Sequence, residues 1–145
     1  QLTRAQCEAL LSVHHGASLA CVREGRPYLV PITYAFSGGV IYSFSLEGQK
    51  LQWMRANPSV SLLVVEHGPG ATWQSVVVTG LFEEFTKDPY FEGDNDFAWK
   101  ALSKQADWWN PGSLKPAGHS QLGGYIYYCI RNYQMTGRAA RAAAP

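Results

Sequence analysis

Ser45, Gly48, Gln49 and Lys50 fall within SLEGQK, six residues that join an alternating, strand-like run to a short helix-like one. In that order they can hold an anion. A strand ending at Ser45 and a helix starting after Gly48 would leave the first-turn N–H groups without intrahelical partners. The helix dipole adds positive potential at the same place, and Lys50 adds a full charge. A phosphate monoester suits such a site. The same six residues also read as an ordinary connection, with Ser45 as a cap, Gly48 as a close turn and Lys50 in solvent. Glu47 would repel a phosphate if it faced inward.

The remaining reactive residues assemble into nothing comparable. His14, His15, His67 and His119 lack metal-ligand spacing, and no Ser/His/Asp or Cys/His set can be built around them, so they read as surface histidines. Cys7, Cys21 and Cys129 are far apart, odd in number and free of any CxxC spacing, so neither a disulfide framework nor a zinc site is indicated and a reducing cytoplasm is the expectation. Glu83 and Glu84 read as a solvated strand end rather than an acid–base pair. Twelve Lys and Arg against eleven Asp and Glu leave a formal charge of +1, too little field to draw nucleic acid or an anionic membrane. No stretch approaches the roughly 18 apolar residues of a membrane span, and QLTRAQCEALL lacks a signal-peptide pattern. The expectation is a cytoplasmic protein whose specificity comes from a pocket.

The elements that must position these residues are legible in outline. At 145 residues the chain fits one domain. Thr3 and Gln6 form a capping box for a short amphipathic helix that Gly16 can end. ASLACVRE, YLVPITYAF and VIYSFS, joined by glycine turns, read as an antiparallel meander. Pro31 inside the second strand marks an edge, a bulge or backbone that faces something other than a strand. LQWMRAN makes about two helical turns, stopped by Pro58. VSLLVVEH, nearly continuous in apolar residues, reads as a central strand buried on both faces. WQSVVVTGLFEEF follows, with Gly80 as a kink. Asp88-Pro89 opens a helix carrying Ala98, Trp99, Leu102 and Ala106 on one stripe, and Trp108 and Trp109 lie in a Gly/Pro-rich loop. YIYYCIRNYQM is the last strand. The domain is expected over 1–138, with 139–145 a disordered tail. Six strands and short flanking helices make the fold class α+β, mainly β, with a six-stranded antiparallel barrel whose grooves become sites when two copies pair.

GRPYLVPITYAF, IYSFSLEGQKLQWMRANPSVSLLVV and WQSVVVTGLFEE, in that order and spacing, resemble the flavin-binding split barrels related to pyridoxamine 5′-phosphate oxidase. DWWNPG and MTGRAA resemble that group's small bacterial flavin-nucleotide-binding members. The resemblance implies an FMN-binding homodimer of split β-barrels with two sites at the subunit interface. In the family pattern a basic pair binds the FMN phosphate; Lys50 matches its second member, and Gln49 replaces the first with a neutral donor. Val30, Pro31, Ile32 and Thr33 match the segment along the flavin ring. Ser43 and Phe44 match the pair beside the ring and ribityl chain. Nitroimidazole-resistance relatives carry His at the Phe44 position, so their reductase activity does not transfer directly.

Ser75 matches a polar position that contacts the flavin. Trp73 beside it either flanks the site or is one residue of an alternating strand. Trp108 and Trp109 match a double tryptophan that reaches the partner's flavin or anchors the dimer interface. The activity implied is a flavin-dependent oxidoreductase acting on an unidentified small molecule, with no catalytic side chain to name. The alternatives are a non-catalytic flavin store or sensor, or the same groove holding deazaflavin or haem. Oxidation of pyridoxamine phosphate itself is not expected, because the Arg- and His-containing carboxy-terminal segment of the true oxidase has no counterpart here.

Overall fold

The computed structural model describes residues 1–85, 102 and 126–142. The elements run α1 (Arg4–Val13), β1 (Gly16–Arg23), β2 (Arg26–Ser37), β3 (Val40–Ser45), α2 (Gln49–Ala56), β4 (Ser59–His67), β5 (Trp73–Glu84) and β6 (Ile126–Ala140). The six strands close into an antiparallel barrel in the order β1-β2-β3-β6-β5-β4. The expected six-stranded, mainly β architecture is therefore present. Trp108, Trp109, His119 and the segment expected to be helical after Asp88 lie outside the described residues, except for the helical, fully buried Leu102.

Alternation along each strand sends one row of side chains inward. Leu19, Ile41, Leu62, Val64, Val76, Val78 and Ile130 meet in a single interior cluster, joined by Leu10 and Leu11 of α1 and Leu51 and Met54 of α2. The two helices close opposite ends. At one end the Tyr34 hydroxyl donates to the Leu11 carbonyl at 2.9 Å, and at the other Trp53 packs on Tyr28 with ring centroids 5.4 Å apart. The Thr3–Gln6 capping box is formed in full. The helix stops at His14, before Gly16, which already begins β1.

β4 differs from its expected burial on both faces. Val60, Leu62 and Val64 are buried, while Leu63 and Val65 point outward and are 38% and 39% exposed. A barrel wall has a single inside, so even an unbroken apolar strand presents half its residues to the outer surface. Gly80 does sit at an irregularity, a register shift between Thr79 and Gly80 against β6. A Cβ there would lie 2.2 Å from the Arg131 carbonyl oxygen. β6 runs past the boundary expected at 138, because Gln74 and Trp73 of β5 supply ladder partners for Ala139 and Ala140.

Candidate functional site

The β2–β3 ladder begins at Ser37↔Val40 and ends at Tyr34↔Ser43, although both strands continue. The wall splits there. The Tyr34 N–H donates to the His15 carbonyl, toward β1. Backbone groups alternate in direction along a strand, so those of Thr33 and Pro31 point into the split. The Thr33 carbonyl accepts a hydrogen bond from the Ser43 hydroxyl at 2.6 Å. Pro31 has no N–H to leave unpaired. A proline is tolerated inside this strand because its backbone faces no neighbouring strand, one of the three settings anticipated for it.

Side chains divide by parity. Val30 and Ile32 belong to the interior, whereas Pro31 and Thr33 face outward beside Leu29, which is 69% exposed. Ser43 and Phe44 likewise diverge. Ser43 is fully buried inside the barrel, while Phe44 packs outside on Tyr127 with centroids 6.1 Å apart. Only Phe44 of that pair can present its side chain to an outer groove. Behind Ser43 lies the phenol of Tyr128, also fully buried and without a well-formed hydrogen bond. Burial pushes that phenol up to about 12, and the nearby Ser43 hydroxyl pulls it partway back.

SLEGQK leaves the end of β3 at the lip of this split. Ser45 does not cap α2; its hydroxyl donates to the Leu46 carbonyl at 2.8 Å. Gly48 is the N-cap, in an extended conformation, with no side-chain cap and no heavy atom within 4 Å of where a Cβ would sit. It therefore makes no close turn. Its bareness leaves the first-turn amides of α2 open to approach from outside. Glu47 does not repel an incoming anion freely, because Arg55 grips it in a two-pronged pair of 2.5 and 3.0 Å. The same guanidinium holds Glu84 at 2.7 and 3.0 Å, tying the loop to β5. Arg55 holds the Glu47 carboxyl below the usual carboxylate range.

Lys50, in the first turn of α2, is half-buried above Cys21. Burial lowers its ammonium pKa, and the Cys21 thiol partly opposes that shift. The thiol is itself pushed up by burial and pulled down by Lys50. Among the described residues no carboxylate lies within ion-pair distance of Lys50, although Arg4 and Arg131 each have one and Arg55 has two. A half-desolvated cation beside open helix amides is suited to an anion from outside the chain.

Ser75 and Trp73 stand elsewhere. They point outward from β5: through β2, β1 and β4 that is four strand spacings from Ser45, about 19 Å of barrel wall. Through β6 it is two spacings, but Ser45 pairs with Ile126 and Ser75 with Arg138, which offsets them by about 40 Å along the strand. One chain does not bring them to Lys50. From Trp73 toward the split runs an outward apolar strip comprising Trp73, Val77, Val65, Leu63 and Leu29, each at least 38% exposed. Arg138 lies opposite Ser75 in register and is exposed on the same face. Neither Arg138 nor the Arg55 clamp was singled out from sequence. Their roles depend on strand pairing and on a contact 29 residues distant, from Arg55 to Glu84.

His14, read from sequence as a surface residue, bonds through Nε2 to a Glu66 carboxylate oxygen at 2.7 Å. Glu83 and Glu84 form ion pairs with Arg131 and Arg55 rather than an acid–base dyad. No group of three potential metal ligands occurs among the described residues. No described helix is long and apolar enough to cross a membrane.

The family model described as pyridoxamine 5′-phosphate oxidase matches residues 3–139. An uncharacterized protein of Rhizobium meliloti (strain 1021) is 43% identical over 143 residues, covering 97% of this chain and 95% of the relative. A crystal structure of an FAD-binding protein from Mesorhizobium loti is 40% identical, with TM-score 0.79 over 97% of this chain and 96% of that one. An FAD-binding protein from Mycobacterium smegmatis shares the fold at 20% identity, with TM-score 0.70 over 97% and 98% of the two chains.

Proposed function

The chain belongs to the pyridoxamine 5′-phosphate oxidase family, and from that premise we propose that it binds a flavin nucleotide in the β2–β3 split and uses it to oxidise or reduce a small molecule. The observation that carries this reading is Lys50, a half-buried cation without a carboxylate partner among the described residues, set beside the bare amino end of α2. A flavin phosphate takes that place. The ring then lies along Pro31 and Thr33, where backbone groups face the split instead of another strand. Phe44 and Leu29 supply apolar surface at its border.

The phosphate end speaks for FAD over FMN. A phosphomonoester such as that of FMN carries close to two charges near neutral pH, and Gln49 leaves one side-chain cation to meet them. Each phosphate of FAD, bonded once as an ester and once through the pyrophosphate bridge, carries one. The FAD-binding relative at 40% identity points the same way.

The separation of Ser75 and Trp73 from Lys50 supports a homodimer. A second copy, laying its β4–β5 wall and the apolar strip against the split, completes the groove with those two residues and with Arg138. Exposed contiguous apolar surface of this kind marks an association face. Bound flavin supplies hydride and single-electron chemistry. The chain's part is to fix the phosphate through Lys50 and the α2 amides and to keep one ring face open.

The visible spectrum of the freshly purified protein, with mass spectrometry of the released cofactor, tests the reading. Oxidised-flavin bands and an FAD mass are expected; a Soret band, or a deazaflavin mass, would overturn it. Anaerobic reduction followed by reoxidation with candidate acceptors then separates an oxidoreductase from a flavin store or sensor, since a store shows no turnover.

A further inference from the structure

At the barrel end closed by α1 there is a cavity of about 220 Å³, lined among others by Leu2, Gln6, Glu66, Trp73, Gln74 and Arg141. It is separate from the split. Glu66 and Gln74 continue the inward-facing rows of β4 and β5 beyond the buried Val64 and Val76, so they lie on the opposite side of the wall from Val65 and Ser75.

The Glu66 carboxylate is fixed in place. One oxygen meets His14 Nε2 at 2.7 Å, and the other accepts from Gln74 Nε2 at 2.7 Å. A carboxylate has about four acceptor positions, so two donors leave capacity for a third. His14 first and Gln74 second hold its carboxyl below the usual range, which keeps it ionised. Arg141 lines the same cavity, yet it pairs neither with Glu66 nor with any other described carboxylate. Leu2 and Ala139 add apolar surface, and Gln6 already commits its amide oxygen to the Thr3 N–H, leaving its NH2 as a donor.

Two opposite charges that share a small cavity without meeting are complementary to a molecule that carries both. We propose that this cavity binds a small zwitterion of the α-amino-acid class with an apolar side chain. The ligand's ammonium meets Glu66, its carboxylate meets Arg141, and its apolar side chain lies against Leu2 and Ala139. A simple cation would leave Arg141 unanswered, and a simple anion would face the Glu66 carboxylate. The volume, about 220 Å³ and below the roughly 300–1,000 Å³ of pockets for larger ligands, suits an occupant of amino-acid size.

Calorimetric titration of the flavin-loaded protein with L-phenylalanine tests this, using phenylalaninamide and N-acetylphenylalanine as probes that lack one charge each. Saturable binding of phenylalanine at about millimolar strength or tighter is expected, with each derivative at least about tenfold weaker. Glu66→Gln should weaken phenylalanine and the amide but spare the N-acetyl compound. Arg141→Gln, at an exposed side chain, should show the reverse selectivity, and neither change should alter flavin content. Absence of saturable phenylalanine binding overturns the proposal. So does equal affinity for the three probes, or displacement of phenylalanine by excess flavin.

Discussion

The Ser43 hydroxyl donates to the Thr33 carbonyl at 2.6 Å, across the gap where the β2–β3 ladder has ended. One side chain replaces a missing ladder bond and holds the split at a fixed width. Ser43 is fully buried, so Ser43→Ala strands the carbonyl without its donor and should cost about 1–2 kcal/mol in denaturant unfolding. It should also shift the absorption bands of bound flavin, since the freed carbonyl then points toward the ring. Unchanged stability together with an unchanged spectrum would show that the split is held by other contacts.

Lys50→Ala should lower the affinity for FAD and FMN by about 1.5–3 kcal/mol, the range of a hydrogen bond to a charged group. Riboflavin, which has the ring but no phosphate, should bind both proteins alike. An equal loss for all three ligands would place Lys50 at the ring instead.

Burial lowers the Lys50 pKa from its ordinary value of 10.5, and the sign of the consequence follows. Between the lowered value and 10.5 the unfolded chain binds more protons than the folded one, so the stability of the empty protein rises with pH across that window. A bound phosphate reverses the preference by favouring the ammonium form. Affinity for phosphorylated flavins should therefore be full at neutral pH and fall as pH climbs through the lowered value, while riboflavin binding stays flat. Lys50→Arg, permanently charged, should remove the decline. Fluorescence titrations from about pH 7 to about pH 10 would show it.

Gly80→Ala should destabilise by about 2–3 kcal/mol, because the added methyl meets the Arg131 carbonyl oxygen at 2.2 Å and Ile130 Cγ2 at 2.9 Å. Backbone cannot swing aside as a flexible side chain can. A thermal melt that leaves the midpoint unmoved would mean the β5–β6 irregularity yields easily.

The barrel could be read from the chain because its cues are local. Alternation, glycine turns and the Thr3–Gln6 capping box each lie within a few residues, and all survive in the structure. Pro31 signalled an interrupted ladder for the same reason. What escaped was set by closure and register. The outward half of β4 was misread because an apolar run does not say how many of its faces are covered. Gly48 as the bare cap, the Arg55 clamp on Glu47 and Glu84, and Arg138 opposite Ser75 all require knowing which strand stands beside which. Ser43 and Phe44 matched a site as a pair, yet strand geometry sends them to opposite faces.

Lys50 stands on α2 and Ser75 projects from β5 of the barrel wall, so the two-copy groove makes a prediction that a single-chain groove does not. Lys50→Ala removes the phosphate contact, and Ser75→Trp blocks the wall that a partner would contribute. Each variant alone should form dimers with weak flavin binding. A mixed dimer, isolated with two affinity tags, gathers both lesions into one groove and leaves the other groove with an intact Lys50 and an intact Ser75. It should hold one tightly bound flavin per dimer. If the mixed dimer binds no better than its parents, Ser75 and Lys50 do not share a groove across the interface, and the flavin contacts must come from within one chain.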